Sequence, residues 1–336
     1  MRVIDKDRYG RKVNYLRLSI TDRCNLRCLY CVGCFNYKFI PHDKILRYEE
    51  CIELIDIAKN FLGISKVRFT GGEPFVRRGF VDFVKMVFDK FPGLDLRITT
   101  NGTLLEPYIN ELSKIGLKTI NISLDTFDRD KFKFITGKDE HTKVMSSIFK
   151  CIEKGIKVKI NVVALKSIND NEIEDFVKFA IDYPVDVRFI EFMPIGEGSK
   201  WQVDFFLSSK DILKKAFEVA DLIPVEVKEE EKGPANMYWV KGGKGRIGLI
   251  SPLTNHFCST CNRIRITADG RLRTCLFSDK EYRLIPILRS HKLSKEKLLE
   301  VIKKAVLKKP LGVDILKKRM RLGSSVCAKI MSAIGG

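Results

Sequence analysis

The chain has 336 residues, 45% of them hydrophobic, and Lys plus Arg outnumber Asp plus Glu by 61 to 42, a formal net charge of +19. No apolar run approaches a membrane span, and the charged start MRVIDKDRYGRK lacks the apolar centre of a signal peptide. Ten cysteines in such a chain do not suit the disulfide framework of a small secreted domain, so a soluble, cytoplasmic protein of one large or two ordinary domains is expected. The charge points to an anionic partner, of which nucleic acid is the usual one. Yet there is no basic tail, no RGG tract and no run of aromatics. Lysine-rich stretches such as KEKLLEVIKKAVLKK follow amphipathic helical spacing and read as solvated faces. Nucleic acid is not expected.

The first strand is expected near 15–20, with Leu16, Leu18 and Ile20 on one face and Tyr15, Arg17 and Ser19 on the other. CNLRCLYC follows at 24–31, and then the helical stretch YEECIELIDIAKNFLG. A second strand near 66–70 opposes Val67 and Phe69 to Lys66, Arg68 and Thr70, and GGEP follows it. The strand near 94–99 sets Leu96 and Ile98 against Arg97 and Thr99 and runs into TTNG. The strand near 118–124 sets Ile120, Ile122 and Leu124 against Thr119, Asn121, Ser123 and Asp125 and ends in SLD. The one near 157–163 opposes Val158, Ile160 and Val162 to Lys157, Lys159 and Asn161. After the helical NEIEDFVKFAIDY, a strand near 186–191 places Arg188 opposite Val187 and Phe189 and leads to EFMPIG. Cys51, Cys151 and Cys327 stand alone in apolar, helix-like stretches and read as small buried hydrophobes.

Strand alternating with helix predicts a parallel α/β sheet, open or closed into a barrel. Six units are visible by residue 220, and a full eightfold barrel needs two more. The apolar faces must meet the helices, so the polar faces turn inward. Burying Arg17, Arg68, Arg97, Lys159 and Arg188 is prohibitive without anionic partners, although a strand end open to solvent is an equal alternative for Arg97 and Arg188. A cavity that receives a polyanionic small molecule accounts for the set. The motifs share the rim at the C-terminal strand ends, where such barrels do their chemistry.

Cys24, Cys28 and Cys31 are three thiols, one fewer than structural zinc takes and one more than a disulfide. CNLRCLYC after a first strand, with GGEP after a second, resembles the radical S-adenosylmethionine enzymes. The resemblance implies that the three thiolates hold a [4Fe–4S] cluster whose open iron binds the amino and carboxylate groups of S-adenosylmethionine. Cleavage of the sulfonium then gives a 5′-deoxyadenosyl radical. Cys34 extends the pattern as a bystander, or as a thiol that competes for the open iron. A second trio, Cys258, Cys261 and Cys275, lies in FCSTCNRIRITADGRLRTCLFS. A Cys3His zinc site with His256 would be compressed, and two trios in one chain favour a second open cluster. If CNRIRI is extended, Cys261, Arg263 and Arg265 share a face whose forked donors suit phosphate.

Both trios, FCSTCNRIR and the terminal IGG together resemble the GTP 3′,8-cyclase family of molybdenum-cofactor biosynthesis, from LRLSITDRCNLRCLYC to Gly336. The resemblance implies an incomplete (β/α)6 TIM-type barrel over 1–219, closed by a smaller C-terminal cluster-binding and GTP-binding domain over 220–336. It implies cyclisation of GTP to (8S)-3′,8-cyclo-7,8-dihydro-GTP, with two [4Fe–4S] clusters on Cys24, Cys28 and Cys31 and on Cys258, Cys261 and Cys275. Tyr30, Gly72, Ser123 and Met193 are expected to contact S-adenosylmethionine. Arg17, Arg68, Thr99, Lys159, Arg263, Ile264 and Arg265 are expected to contact GTP. Arg17, Lys159, Gly335 and Gly336 are expected in the catalytic step. The extra Cys34 and the bulky Ile264 between the arginines are departures from the family pattern that disturb no ligand. A flavodoxin or ferredoxin as reductant and a downstream pterin synthase are implied as partners, and a homodimer is left open. The rival readings are a peptide-modifying radical S-adenosylmethionine enzyme and a zinc-containing nucleic-acid-binding protein.

Overall fold

The computed structural model describes residues 6–31, 38–196, 203–226, 233–290, 295–321 and 327–335. Six strands come first: β1 (Tyr15–Ser19), β2 (Lys66–Thr70), β3 (Asp95–Thr100), β4 (Thr119–Ser123), β5 (Lys157–Ala164) and β6 (Asp186–Glu191). They match the expected strands to within a residue at either end, lie side by side in chain order and all run parallel. Parallel neighbours need crossovers. Helices supply them: α1 (Tyr48–Leu62), α2 (Phe80–Lys90), α3 (Ile109–Ile115), α4 (Arg129–Thr136), α5 (His141–Glu153) and α6 (Ile173–Asp182), with α7 (Ser209–Val219) after β6.

The helices dock through apolar stripes. In α1, Cys51, Leu54, Ile55, Ala58, Phe61 and Leu62 recur every three or four residues and are buried. Asp128 caps α4 by accepting the Lys131 N–H at 2.8 Å, and Gly137, with φ of 75°, stops it in the left-handed region that favours glycine. Leu16, Leu18, Val67, Phe69, Ile98, Ile120, Val158, Ile160, Val187 and Phe189 meet these helices in one core. The polar face of every strand is thereby left to the other side.

The remaining chain lengthens the same sheet at both flanks. β7 (Leu222–Pro224), β8 (Asn236–Val240) and β9 (Arg246–Ile250) form an antiparallel meander whose last strand joins β6 in parallel. β10 (Arg263–Ile266) runs parallel to β1, and β11 (Arg271–Arg273) and β12 (Tyr282–Arg283) follow antiparallel. The order is β12-β11-β10-β1-β2-β3-β4-β5-β6-β9-β8-β7. Two further parallel strands thus come from beyond residue 220, and β9 and β10 do not pair with each other. The helices α8 (Ile285–Leu288), α9 (Lys295–Leu307), α10 (Gly312–Arg321) and α11 (Met331–Ile334) complete the described chain.

Cys51 and Cys151 are buried in the core. Cys327 is buried too, but not on a helix: it forms a bridge with Ile195, and its sulfur accepts an N–H from Arg273 Nη2 at 3.1 Å. Cys34 and Gly336 lie outside the described residues. Among the described residues no helix is long and apolar enough to cross a membrane.

Asp186 pins β9 to the sheet. It is fully buried, faces Arg246 in register, and accepts from Arg246 Nε and Nη2, both at 2.8 Å. Lys157 and Lys159 stand 3.1 and 3.4 Å away. Burial opposes its charge, but the Arg246 hydrogen bonds and the two lysines outweigh burial and hold the carboxyl at about 2, against an ordinary 3.8. A depressed folded value adds stability that is present above the unfolded value and lost as pH falls through about 2. Asp186→Asn should therefore cost roughly 2 kcal/mol at neutral pH, at about 1.4 kcal/mol per unit. Urea denaturation should show that deficit shrinking on acidification; a deficit that ignores pH would contradict the pairing.

Candidate active site

The inward faces of β10, β1 to β6 and β9 line one cavity of about 970 Å³, at the upper end of the range for ligand pockets. The topology sets its two ends. Cys24, Cys28 and Cys31 follow the C-terminal end of β1. Cys258 and Cys261 precede β10, which runs parallel to β1, and Cys275 follows antiparallel β11, so this trio lies at the N-terminal strand ends. All six thiols line the cavity. The chain thus sets its two trios facing each other along the length of the strands.

At the first end the loops after β1 and β2 are sewn together. Gly72 N–H donates to the Thr21 carbonyl at 2.7 Å and Glu73 N–H to Arg23 at 2.8 Å. A Cβ on Gly72 would stand 2.3 Å from the Arg23 carbonyl oxygen, so only glycine fits this approach. Buried Glu73 accepts from Asn101 N–H, Thr100 Oγ1 and Phe75 N–H; burial outweighs these bonds and pushes it up to about 7. Tyr30 donates its hydroxyl to Asp125, which also accepts the Val163 N–H at 2.8 Å. Tyr30, Gly72, Ser123 and Met193 all line this cavity.

The three thiols there do not ionise readily by themselves. Burial raises Cys28 well above its ordinary value, aided by Cys31, Asp125 and Cys24, and burial with Cys24 pushes Cys31 up to about 12. The N–H and hydroxyl of Ser332 donate to Cys31, while Leu26 N–H and Asn101 Nδ2 donate to Cys24 at 3.4 and 3.7 Å. A cationic cluster core would draw all three to thiolates. No three Cys, His, Asp or Glu among the described residues gather closely enough to hold a single ion. The thiol-only donor set fits an iron–sulfur cluster.

Between the ends the lining is basic. Arg68 donates from Nη1 to Thr99 Oγ1 at 3.1 Å and from Nε to the Tyr15 hydroxyl. Arg188 donates to Asn161 Oδ1 at 2.7 Å, and Lys159 pairs with Asp186. Burial and neighbouring arginines drive Arg17 well below its ordinary value and Arg188 to about 9. Burial and Arg263 bring Arg265 to about 10; burial brings Lys159 to about 8, with Asp186 opposing. An anion would relieve every one of these. Asn121 Oδ1 and Arg188 Nε are buried without a hydrogen-bond partner, as expected of a site shaped for a polar ligand.

At the second end burial opposes ionisation of Cys261, yet the Lys309 and Arg263 charges lower it to about 6. Arg263 lies over the Phe257 ring at 4.7 Å, and Arg265 Nη1 donates to the Gly335 carbonyl at 2.9 Å. A Cβ on Gly335 would meet Thr70 Oγ1 at 2.7 Å, so the tail is seated against β2. Ile264 is the one expected substrate contact that leaves the cavity. Strand alternation sends its side chain into the core.

A Radical SAM superfamily model matches residues 18–180, and a Molybdenum Cofactor Synthesis C model matches residues 185–315. The chain is 45% identical to the GTP 3′,8-cyclase of Alkaliphilus oremlandii over 93% of this chain and 95% of the relative. It is 43% identical to that of Petrotoga mobilis over 98% and 99%. The chain belongs to the GTP 3′,8-cyclase family. In fold it is similar to the Streptococcus suis SuiB crystal structure bound to S-adenosylmethionine, with a TM-score of 0.62 at 14% identity, covering 98% of this chain and 78% of SuiB.

Arg97 and Arg188, for which sequence leaves the inward face and a strand end open to solvent as equal alternatives, both line the cavity, Arg97 paired to Asp95 at 2.7 Å and Arg188 buried. Other residues of this cyclase-family site escape a sequence reading. Lys309, the last residue of a stretch that reads as a solvated face, is buried instead, with its ammonium against Cys261. Asn101 lies in TTNG at the same rim, but its contact with Glu73 of GGEP, made through its N–H, is set only in space. Tyr15 sits on the inward face, but its setting comes from three strands. Burial opposes its ionisation, yet Arg68, Arg17 and Arg97 together bring the phenol down to about 7. In metal-free, nucleotide-free protein, one tyrosinate should therefore form around pH 7, seen by ultraviolet absorbance and absent from Tyr15→Phe. Titration of every tyrosine near its ordinary value would refute this description of the lining.

Proposed function

We propose that the chain cyclises GTP to (8S)-3′,8-cyclo-7,8-dihydro-GTP for molybdenum-cofactor biosynthesis, using S-adenosylmethionine and two [4Fe–4S] clusters. One observation carries the reading: two thiol trios stand at opposite ends of one cavity whose middle is lined by buried cations. Cys24, Cys28 and Cys31 would hold the first cluster, and Cys258, Cys261 and Cys275 the second. When bound, the first cluster and S-adenosylmethionine would supply the radical chemistry of the reaction.

The chain's own residues do the binding and aiming. Gly72 leaves bare backbone for S-adenosylmethionine, with Ser123 and Met193 beside it and Tyr30 held in place by Asp125. Arg17, Arg68 and Lys159 meet the triphosphate, and Thr99 and Tyr15 fix the orientation of the Arg68 fork. Charge-assisted contacts of this kind are roughly twice as strong as neutral ones. Arg263 and Arg265 serve the end near the second trio. Arg265 also holds the tail through Gly335, which in this reading flanks the bound nucleotide and excludes water. Arg17 and Lys159, on β1 and β5, hold the ribose in line for reaction.

The parallel strands are read as an incomplete (β/α)6 barrel over 1–219, with 220–336 as the second-cluster and GTP-binding domain. A flavodoxin- or ferredoxin-type reductant, delivery of the product to a pterin synthase and a cytoplasmic setting complete the reading.

Anaerobically reconstituted protein should hold about eight irons on the Cys-ligated cubane pattern. Cys258→Ala should halve that number and leave S-adenosylmethionine cleavage in place, whereas Cys28→Ala should abolish cleavage. Stoichiometric zinc with no sulfide would defeat the assignment.

Deleting Gly335 and Gly336 should spare iron content and S-adenosylmethionine binding but slow cyclisation on the order of 100-fold, because aligned reactants tolerate little displacement. Product analysis by chromatography decides. Full cyclisation by the truncated chain would make the tail a mere terminus.

A further inference from the structure

Lys309 is 1% exposed. All three of its ammonium N–H bonds are spent inside the protein: on the Arg263 carbonyl at 2.8 Å, the Thr274 carbonyl at 2.6 Å and Cys261 Sγ at 3.5 Å. A lysine is almost never this buried without an opposite charge beside it. None of its three acceptors is a carboxylate. The compensating charge must therefore come from the sulfur side.

The next residues are shaped around the same sulfurs. A Cβ on Gly312 would stand 2.9 Å from Cys275 Sγ and 3.5 Å from Cys258 Sγ, so the backbone itself walls the thiols. The N–H groups of Gly312 and Val313, in the first turn of α10, donate to Cys258. Arg11 clamps the wall from behind. It donates to the carbonyls of Cys258 at 2.7 Å, Lys309 at 3.3 Å and Pro310 at 3.0 Å, while Asp7 takes its Nε at 2.6 Å.

We propose that residues 309–312 are the wall of the second cluster site, and that Lys309 is its positioning residue, holding a net-anionic thiolate-bound centre and raising its reduction potential. This rests on the reading that Cys258, Cys261 and Cys275 hold a second cluster. Adding an electron makes that centre more negative, so the fixed charge and N–H···S bond of Lys309 favour the reduced form.

The test is an anaerobic redox titration with dithionite, followed by electron paramagnetic resonance. It uses the full chain carrying Cys24→Ala, Cys28→Ala and Cys31→Ala, so that only the second centre reports. Lys309→Met should lower the midpoint by at least a tenfold change in the one-electron equilibrium, about 59 mV. Lys309→Arg, which keeps the charge, should restore most of it. An unchanged midpoint in Lys309→Met with full iron overturns the proposal. If Lys309→Met does not take up iron, Gly312→Ala in the otherwise native chain decides. Loss of the second centre's iron alone upholds the wall, and retention of both centres overturns it. Native protein with about four irons on the cubane pattern would overturn the reading of the three thiols, and this proposal with it.

Discussion

Buried guanidinium groups that face one another across a cavity are the constraint on which this molecule turns. Arg17, Arg68, Arg188 and Arg265 come from four strands, and burial and mutual repulsion disfavour the charge of Arg17, Arg188 and Arg265. The carboxylates nearby are largely committed elsewhere: Asp186 to Arg246 and the β5 lysines, Asp95 to Arg97. A protein that keeps such a lining does so because the ligand completes it. The same geometry explains the depressed Tyr15, whose phenol is the one acidic group that β1 offers to the arginines.

The sheet produces this arrangement without any special device. Helices take the apolar face of each parallel strand, so every second residue must point to the other side, and those residues line one cavity. Because β10 runs parallel to β1 while β11 turns back, Cys258, Cys261 and Cys275 fall at the strand ends opposite to Cys24, Cys28 and Cys31. Strand direction alone thus sets the two trios apart, with the basic lining between them. The tail then crosses from Gly335, against Thr70 and Arg265, to Ser332 on Cys31, and so touches both the substrate lining and the first trio.

What could be read in advance was what depends on local period. The six strands, their inward residues and both trios were legible because alternation and cysteine spacing are properties of short segments. Lys309 was not. Its stretch has the spacing of a solvated helix, and its burial arises only when the chain, after α9, returns to lie against β10 and Thr274. Cys327 misled for the same reason, since its partner Arg273 lies 54 residues away in sequence. Ile264 shows the opposite case. The alternation that aims Arg263 and Arg265 inward already assigned it to the core, and the structure follows the alternation.

The account makes charge on the ligand the main source of its affinity. The most direct test is anaerobic calorimetry of the cluster-loaded protein with guanosine, GMP, GDP and GTP under one set of salt conditions. Affinity should climb with each added phosphate, because each one meets further buried cations that otherwise repel one another. Equal affinities across the four would mean that the basic lining serves something other than the triphosphate, and would contradict the account.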